Sequence, residues 1–168
     1  MRIRTVLLLS ALLGSTTLAC APTPTEPTAT QEAPAVDSDT VLAEAPAAQG
    51  TVGGPLADSL QGKPVVVDVF ATWCAGCKNI EGTLSQLRED YGDKVNFVVL
   101  DVSDKAKVDE TEALASELGL SDFLAEKKSK TSTVAIVDPA TGDILAIYKN
   151  NPNIEDYTQV LNAAIAQN

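Results

Sequence analysis

The chain has 168 residues, carries a net charge of -11 and contains no histidine. So acidic a polypeptide has no electrostatic means of holding nucleic acid or the anionic face of a bilayer. Without histidine it lacks the commonest general base and the commonest metal ligand together, which narrows its available chemistry sharply. Three cysteines stand at positions 20, 74 and 77; the spacing groups Cys74 with Cys77 and leaves Cys20 with a separate fate.

The first twenty residues read as an export signal. Arg2 and Arg4 give a basic start, and an apolar stretch follows as far as Ala19. At about 14 residues it is shorter than the ~20 a helix needs to cross a bilayer, which fits a cleaved signal better than a permanent anchor. The cysteine at its end resembles the lipobox of bacterial lipoproteins, which implies lipidation at Cys20. Thr17 stands where that pattern usually carries leucine, and an ordinary signal cleaved near Ala19 or Ala21 is the alternative. Residues 21–54 hold five prolines, many Thr and Ala, five acids and no aromatic residue. That composition cannot assemble a core and reads as a disordered tether.

The folded domain is expected over residues 55–168, which contain every aromatic side chain. Ten Lys and Arg against eighteen Asp and Glu leave it at -8. Gly62-Lys63-Pro64 marks a turn, and residues 65–70 are apolar β-formers broken only by Asp68, which suggests a strand buried on both faces. Trp73, Cys74 and Cys77 follow at once. Ile80, Leu84, Leu87 and Tyr91 then recur as one face of a helix ending near Gly92. A second buried strand is predicted over 95–102 and a charged helix over 105–118, with Val108, Thr111, Ala115 and Leu118 inward and Gly119 as its stop. Residues 120–130 read as a polar loop carrying Lys127, Lys128 and Lys130. Strands at 133–137 and 144–148 join through the hairpin turn 138–142. A closing helix starts near Ile154, capped by Asn153, with Ile154, Tyr157, Leu161 and Ile165 inward.

Read from the residues alone, Cys74 lies where a helix begins, so unpaired N–H groups and the positive end of the helix dipole favour a thiolate there. Cys77 is one turn on, within reach to resolve a mixed disulfide, and Lys78 adds a weak positive field. A zinc site needs about four ligands, more than these cysteines supply. A copper carrier using two thiolates and a structural disulfide in so small a loop remain as alternatives.

The run from Val65 through Trp73-Cys74-Ala75-Gly76-Cys77-Lys78 resembles the thioredoxin family, with the preceding Gly62-Lys63-Pro64 similar to its exported, membrane-tethered branch. The resemblance implies an α/β thioredoxin fold: a central mixed sheet of four strands, or five, flanked by helices. It implies a redox-active Cys74–Cys77 disulfide, with Cys74 as nucleophile and Cys77 as resolving thiol. Asp68 would be buried beneath the pair and accept a proton, rather than lie at an exposed strand position. Substrate would dock on Trp73, Ala75, Gly76, Ser132 and Thr133. The family places a cis-proline at Ser132; a cis bond there costs ~3 kcal/mol without proline, so a trans peptide is expected.

No cofactor or metal is implied. The partners implied are exported proteins with disulfides, a transmembrane thiol electron donor and a membrane reached through the lipid on Cys20, with the protein acting as a monomer. The favoured reading is an extracytoplasmic, membrane-tethered disulfide reductase. A disulfide oxidase of the same fold and a non-catalytic thioredoxin-like binding or chaperone module are the alternatives.

Overall fold

The computed structural model describes residues 48–167. The signal at 1–20, Cys20 and most of the predicted tether lie outside the described residues. The elements are β1 (Val65–Phe70), α1 (Ala75–Tyr91), β2 (Asn96–Asp101), α2 (Lys105–Leu118), α3 (Ser121–Lys127), β3 (Thr133–Val137), β4 (Ile144–Lys149) and α4 (Ile154–Ile165).

The four strands lie in the order β2-β1-β3-β4. β1 runs parallel to β2 and antiparallel to β3, and β3 is antiparallel to β4. A parallel pair needs a crossover, which α1 supplies; the antiparallel β3–β4 pair needs only the 138–142 turn. β1 is central, which is why it tolerates an almost unbroken apolar run. Its side chains alternate between two cores. Val65, Val67 and Val69 face Ala115 of α2, Leu120, and Phe123 and Leu124 of α3. Val66 faces Ile80, Leu84 and Leu87 of α1 with Tyr157 and Leu161 of α4. Asp68 belongs by alternation to this second face.

Two caps act as predicted. Gly119 closes α2 in the left-handed conformation at φ 80°, and the Asn153 side chain accepts from the Glu155 N–H at the start of α4. Three expectations need correction. β2 is an edge strand, not a strand buried throughout: Val98 and Leu100 turn inward while Val99 is exposed. The predicted loop 120–130 contains α3, because Leu120, Phe123 and Leu124 fall on one side and are buried together. The folded part also begins before Pro55. Thr51 forms a β-bridge with Asp143, the Gln49 N–H donates to the Ile144 carbonyl, and Val52 is buried in the first core. One apolar side chain among glycines was enough to seat a strap that composition assigns to the tether.

That strap depends on Gly142. It adopts φ 78°, and a Cβ built on it would collide with the Gly54 carbonyl oxygen. Gly142→Ala therefore combines an unfavourable backbone conformation with a clash against main chain. It is expected to destabilise the fold by about 2–4 kcal/mol and to speed proteolysis within residues 48–54. Urea unfolding and limited proteolysis read both; an unchanged midpoint and digestion pattern would show that the strap is not held there.

Candidate active site

The site forms at the end of the sheet where β1 and β2 finish and β3 begins. Cys74 is the N-cap of α1: its extended backbone leaves the strand, and its sulfur accepts the Cys77 N–H at 3.1 Å. The approach is pinned from β2. The Thr72 N–H donates to Ser103 Oγ and Trp73 Nε1 donates to the Ser103 carbonyl, both at 2.9 Å, while Asp101 holds the Ser103 N–H at 2.9 Å. The indole is thereby fixed at its nitrogen, yet Trp73 remains 66% exposed beside a Cys74 that is 6% exposed.

Both cysteines are free thiols, and their surroundings separate them. Burial pushes the Cys74 thiol up. Hydrogen bonding from Cys77 and the hydroxyls of Thr131 and Ser132 outweighs it, so the net shift is downward. Burial pushes Cys77 the same way, and there the hydrogen bond to Cys74 and its nearby charge add to it; the thiol rises to about 11. One sulfur is prepared to be a thiolate and the other to keep its proton.

Asp68 is buried, and its Oδ1 has no hydrogen-bond partner. Burial raises its pKa to about 6, against the lowering influence of the Arg88 guanidinium. Asp68 and Cys77 line one cavity of about 220 Å³, with Glu81, Ser85, Arg88 and Val99 around it. Its lining is mostly apolar, but Asp68, Glu81, Ser85 and Arg88 give a water between the carboxyl and the thiol polar partners.

The remaining predicted positions divide. Ala75 is exposed and Gly76 partly so, both beside Cys74. Ser132 is brought to the pair but is buried, with its N–H on the Val69 carbonyl at 2.8 Å. Thr133 is not offered to a substrate: it is 4% exposed and its hydroxyl donates to the Lys130 carbonyl. The described residues contain no cis peptide, as expected at Ser132; its backbone is instead left-handed, at φ 61°. Sequence reasoning did not single out Ser103, Arg88, Thr131 or Asn150. Only Thr131 carried a signal, as a hydroxyl next to Ser132. Among the described residues, no group of three or more His, Cys, Asp or Glu gathers to hold a metal.

A mixed four-stranded sheet with two thiols at the start of its first long helix, a carboxyl beneath them and a fixed tryptophan beside them defines a protein of the thioredoxin fold. The family model for thioredoxin matches residues 56–123. Thioredoxin-1 of Schizosaccharomyces pombe is 36% identical over 84 residues, covering 48% of this chain and 75% of that protein. The chain belongs to the thioredoxin family. It is also similar to the thiol:disulfide interchange protein TxlA homolog of Synechocystis, at 41% identity over 49 residues, 29% of this chain and 27% of that protein. It spans less than half the length of most curated relatives it matches. Among solved structures it is similar to a DsbF homologue from Corynebacterium diphtheriae, at 18% identity and a TM-score of 0.49, covering 67% of this chain and 85% of that one.

The Asp68 carboxyl gives a pH test. Its folded-state pKa lies above the ordinary value of 3.8, so its contribution to stability is fully present below that value and is lost as pH rises through about 6. Asp68→Asn removes the ionisation. The stability of the variant relative to the parent should therefore shift in its favour by about 3 kcal/mol between about pH 3 and about pH 7. Urea unfolding at the two pH values measures it; a difference independent of pH would mean that Asp68 is not held in its neutral form.

Proposed function

We propose that the protein is a thiol–disulfide oxidoreductase that reduces disulfides of exported proteins outside the cytoplasm, with Cys74 as nucleophile and Cys77 as resolving thiol. The observation that carries the exchange chemistry is the pairing of two thiols one helical turn apart at the start of α1, shifted in opposite directions. The Cys74 thiolate attacks one sulfur of a client disulfide, and the other client sulfur leaves as a thiolate and takes up a proton. Cys77 then attacks Cys74 Sγ, forming the Cys74–Cys77 disulfide and releasing the second client thiolate. The client gains two electrons and the protein loses two.

Asp68 is the acceptor for the Cys77 proton, through the cavity they share. In the free dithiol the gap between about 11 and about 6 opposes that transfer. Once Cys74 is covalently bound to a client its charge is gone, and with it two of the influences that hold Cys77 up: the hydrogen bond and the like charge. The resolving thiol is thus released for attack by formation of the intermediate it must resolve. Trp73, with Ala75 and Gly76, forms the surface on which the client docks.

Each turnover leaves a disulfide, so a thiol donor is required. Outside the cytoplasm a transmembrane thiol carrier supplies those electrons. Tethering through a lipid on Cys20 is supported by the composition of residues 1–20. The chain joins the sheet beside Ile144 at the start of β4, whereas the cysteine pair lies toward the end marked by Lys149 and Asn150. Six residues of strand, about 20 Å, separate the two within the described domain.

The lowered Cys74 pKa favours one other reading. Stabilising the thiolate stabilises the reduced protein, which is the property of an oxidant. The reduction potential decides between them. A value near about -270 mV, measured on the full chain in dithiol buffers, is expected for a reductase, and one near about -120 mV would replace it with an oxidase. Cys77→Ser should accumulate client-linked mixed disulfides that reducing gel electrophoresis dissolves; a variant that traps nothing, in a parent that turns nothing over, would point to a binding module.

A further inference from the structure

Two non-glycine residues among those described have positive φ, Ser132 at 61° and Asn150 at 50°. Such a conformation is uncommon on a residue with a side chain, and asparagine accepts it more readily than serine. The two are joined. The Asn150 N–H donates to the Ser132 carbonyl at 2.9 Å, and the Asn150 side chain accepts from Asn79 of α1 at 3.0 Å. What this arrangement achieves is visible at Gly76, where a Cβ would lie 2.7 Å from Ser132 Oγ and 3.3 Å from Asn150 Cγ. The serine hydroxyl therefore rests directly on the backbone between the two cysteines, at a position only glycine leaves open. Its hydroxyl and that of Thr131 are among the groups that draw the Cys74 thiol down.

We propose that Ser132 is a catalytic residue of the exchange reaction: its hydroxyl, held against Gly76 by the paired left-handed backbones of Ser132 and Asn150, donates a hydrogen bond to the Cys74 sulfur as the thiolate forms. Thr131 acts on the same sulfur, with the larger influence of the two, and Asn150 is a positioning residue that acts through the Ser132 main chain. A sulfur in a disulfide is a weaker acceptor than a thiolate, so this bond is strongest in the dithiol protein. It raises the population of the attacking species and favours the reduced form, at the position where the resembled pattern places an imino acid with no hydroxyl to give. The proposal rests on exchange at Cys74 but not on the direction of electron flow.

The test is a titration that needs no client. The ultraviolet absorbance of the thiolate is followed against pH in the full chain carrying Cys20→Ser, so that only Cys74 and Cys77 contribute. Ser132→Gly removes the hydroxyl and adopts the left-handed backbone without strain, so folding is not put at risk. The Cys74 thiolate fraction near neutral pH should fall about fivefold, and the equilibrium with glutathione should move by about the same factor toward the disulfide. Ser132→Ala loses the same hydroxyl and fits the backbone less well. It should give the same titration shift with a lower unfolding midpoint, which separates the hydroxyl from the fold. A Cys74 titration in Ser132→Gly that overlays the parent's would overturn the proposal. Absent client turnover with the predicted shift present would instead count against the function proposed above and leave the role of Ser132 standing.

Discussion

The Ser132 N–H donates to the Val69 carbonyl at 2.8 Å, and the organisation of the site depends on that one backbone bond. It extends the antiparallel β1–β3 ladder one step beyond its last pair, Val69 with Thr133. The same carbonyl receives the Cys77 thiol at 3.9 Å. The loop before β3 is therefore fastened to the strand that carries the cysteines, beside the turn in which they lie. Both cores of the domain meet here as well. The cysteines pack in the core on the face of Val65, Val67 and Val69, while the carboxyl of Asp68 belongs to the other side. Cys77 nevertheless shares a cavity with Asp68, so electrons move at the sulfurs while the proton has its own route to the carboxyl.

The absence of histidine shapes what the site can be. A neighbouring imidazolium, one of the groups that activate a thiol, is therefore not available. Here the charge on Cys74 is supported by neutral donors: the first-turn N–H of Cys77, the Cys77 thiol and the hydroxyls from the 131–132 loop. Neutral donors stabilise a thiolate without themselves titrating, so their support does not vary through the neutral range. The proton traffic falls to Asp68, whose burial brings it to about 6, close to where an acid–base group works best. Arg88, which lines the same cavity, limits that rise, and its guanidinium also sits 5.4 Å from the centre of the Phe97 ring.

Much of this was legible in the residues, and the unread parts have physical reasons. The run 65–70, the stripe through Ile80, Leu84 and Leu87 and the caps at Gly119 and Asn153 are local signals, and each element follows its signal. α3 was hidden because its apolar side chains number only three among lysines and acids, a pattern whose period is too short to register. The strap was hidden because it docks on Gly142, whose carbonyl accepts the Val52 N–H from far back in the chain, and no composition encodes that pairing. The left-handed pair is the deepest case. Ser132 and Asn150 are ordinary loop residues until β3 and β4 bring them side by side, and only then does the glycine between the cysteines acquire its reason. Arg88 was hidden likewise, because its effect on Asp68 passes between a helix and a strand.

The two thiols are set apart by an arrangement that reaction itself undoes. In the dithiol state each sulfur shapes the other: the Cys77 thiol and N–H support the Cys74 charge, and that charge holds the Cys77 proton in place. Neither shift is a property of one residue, since the two belong to a coupled pair. A bond from Cys74 to any partner cancels the coupling at once. Burial alone then holds Cys77 up, with Asp68 close by across the cavity and the N–H groups near Ala71 and Ser132 drawing it down. The resolving thiol is thus quiet while there is nothing to resolve and available once there is, with no moving element. That economy requires the sulfurs to stay within one helical turn and Asp68 to keep its place on the cavity that Cys77 also lines. The 17-residue helix and the central strand, packed against each other through Val66, Ile80 and Leu84, supply that rigidity.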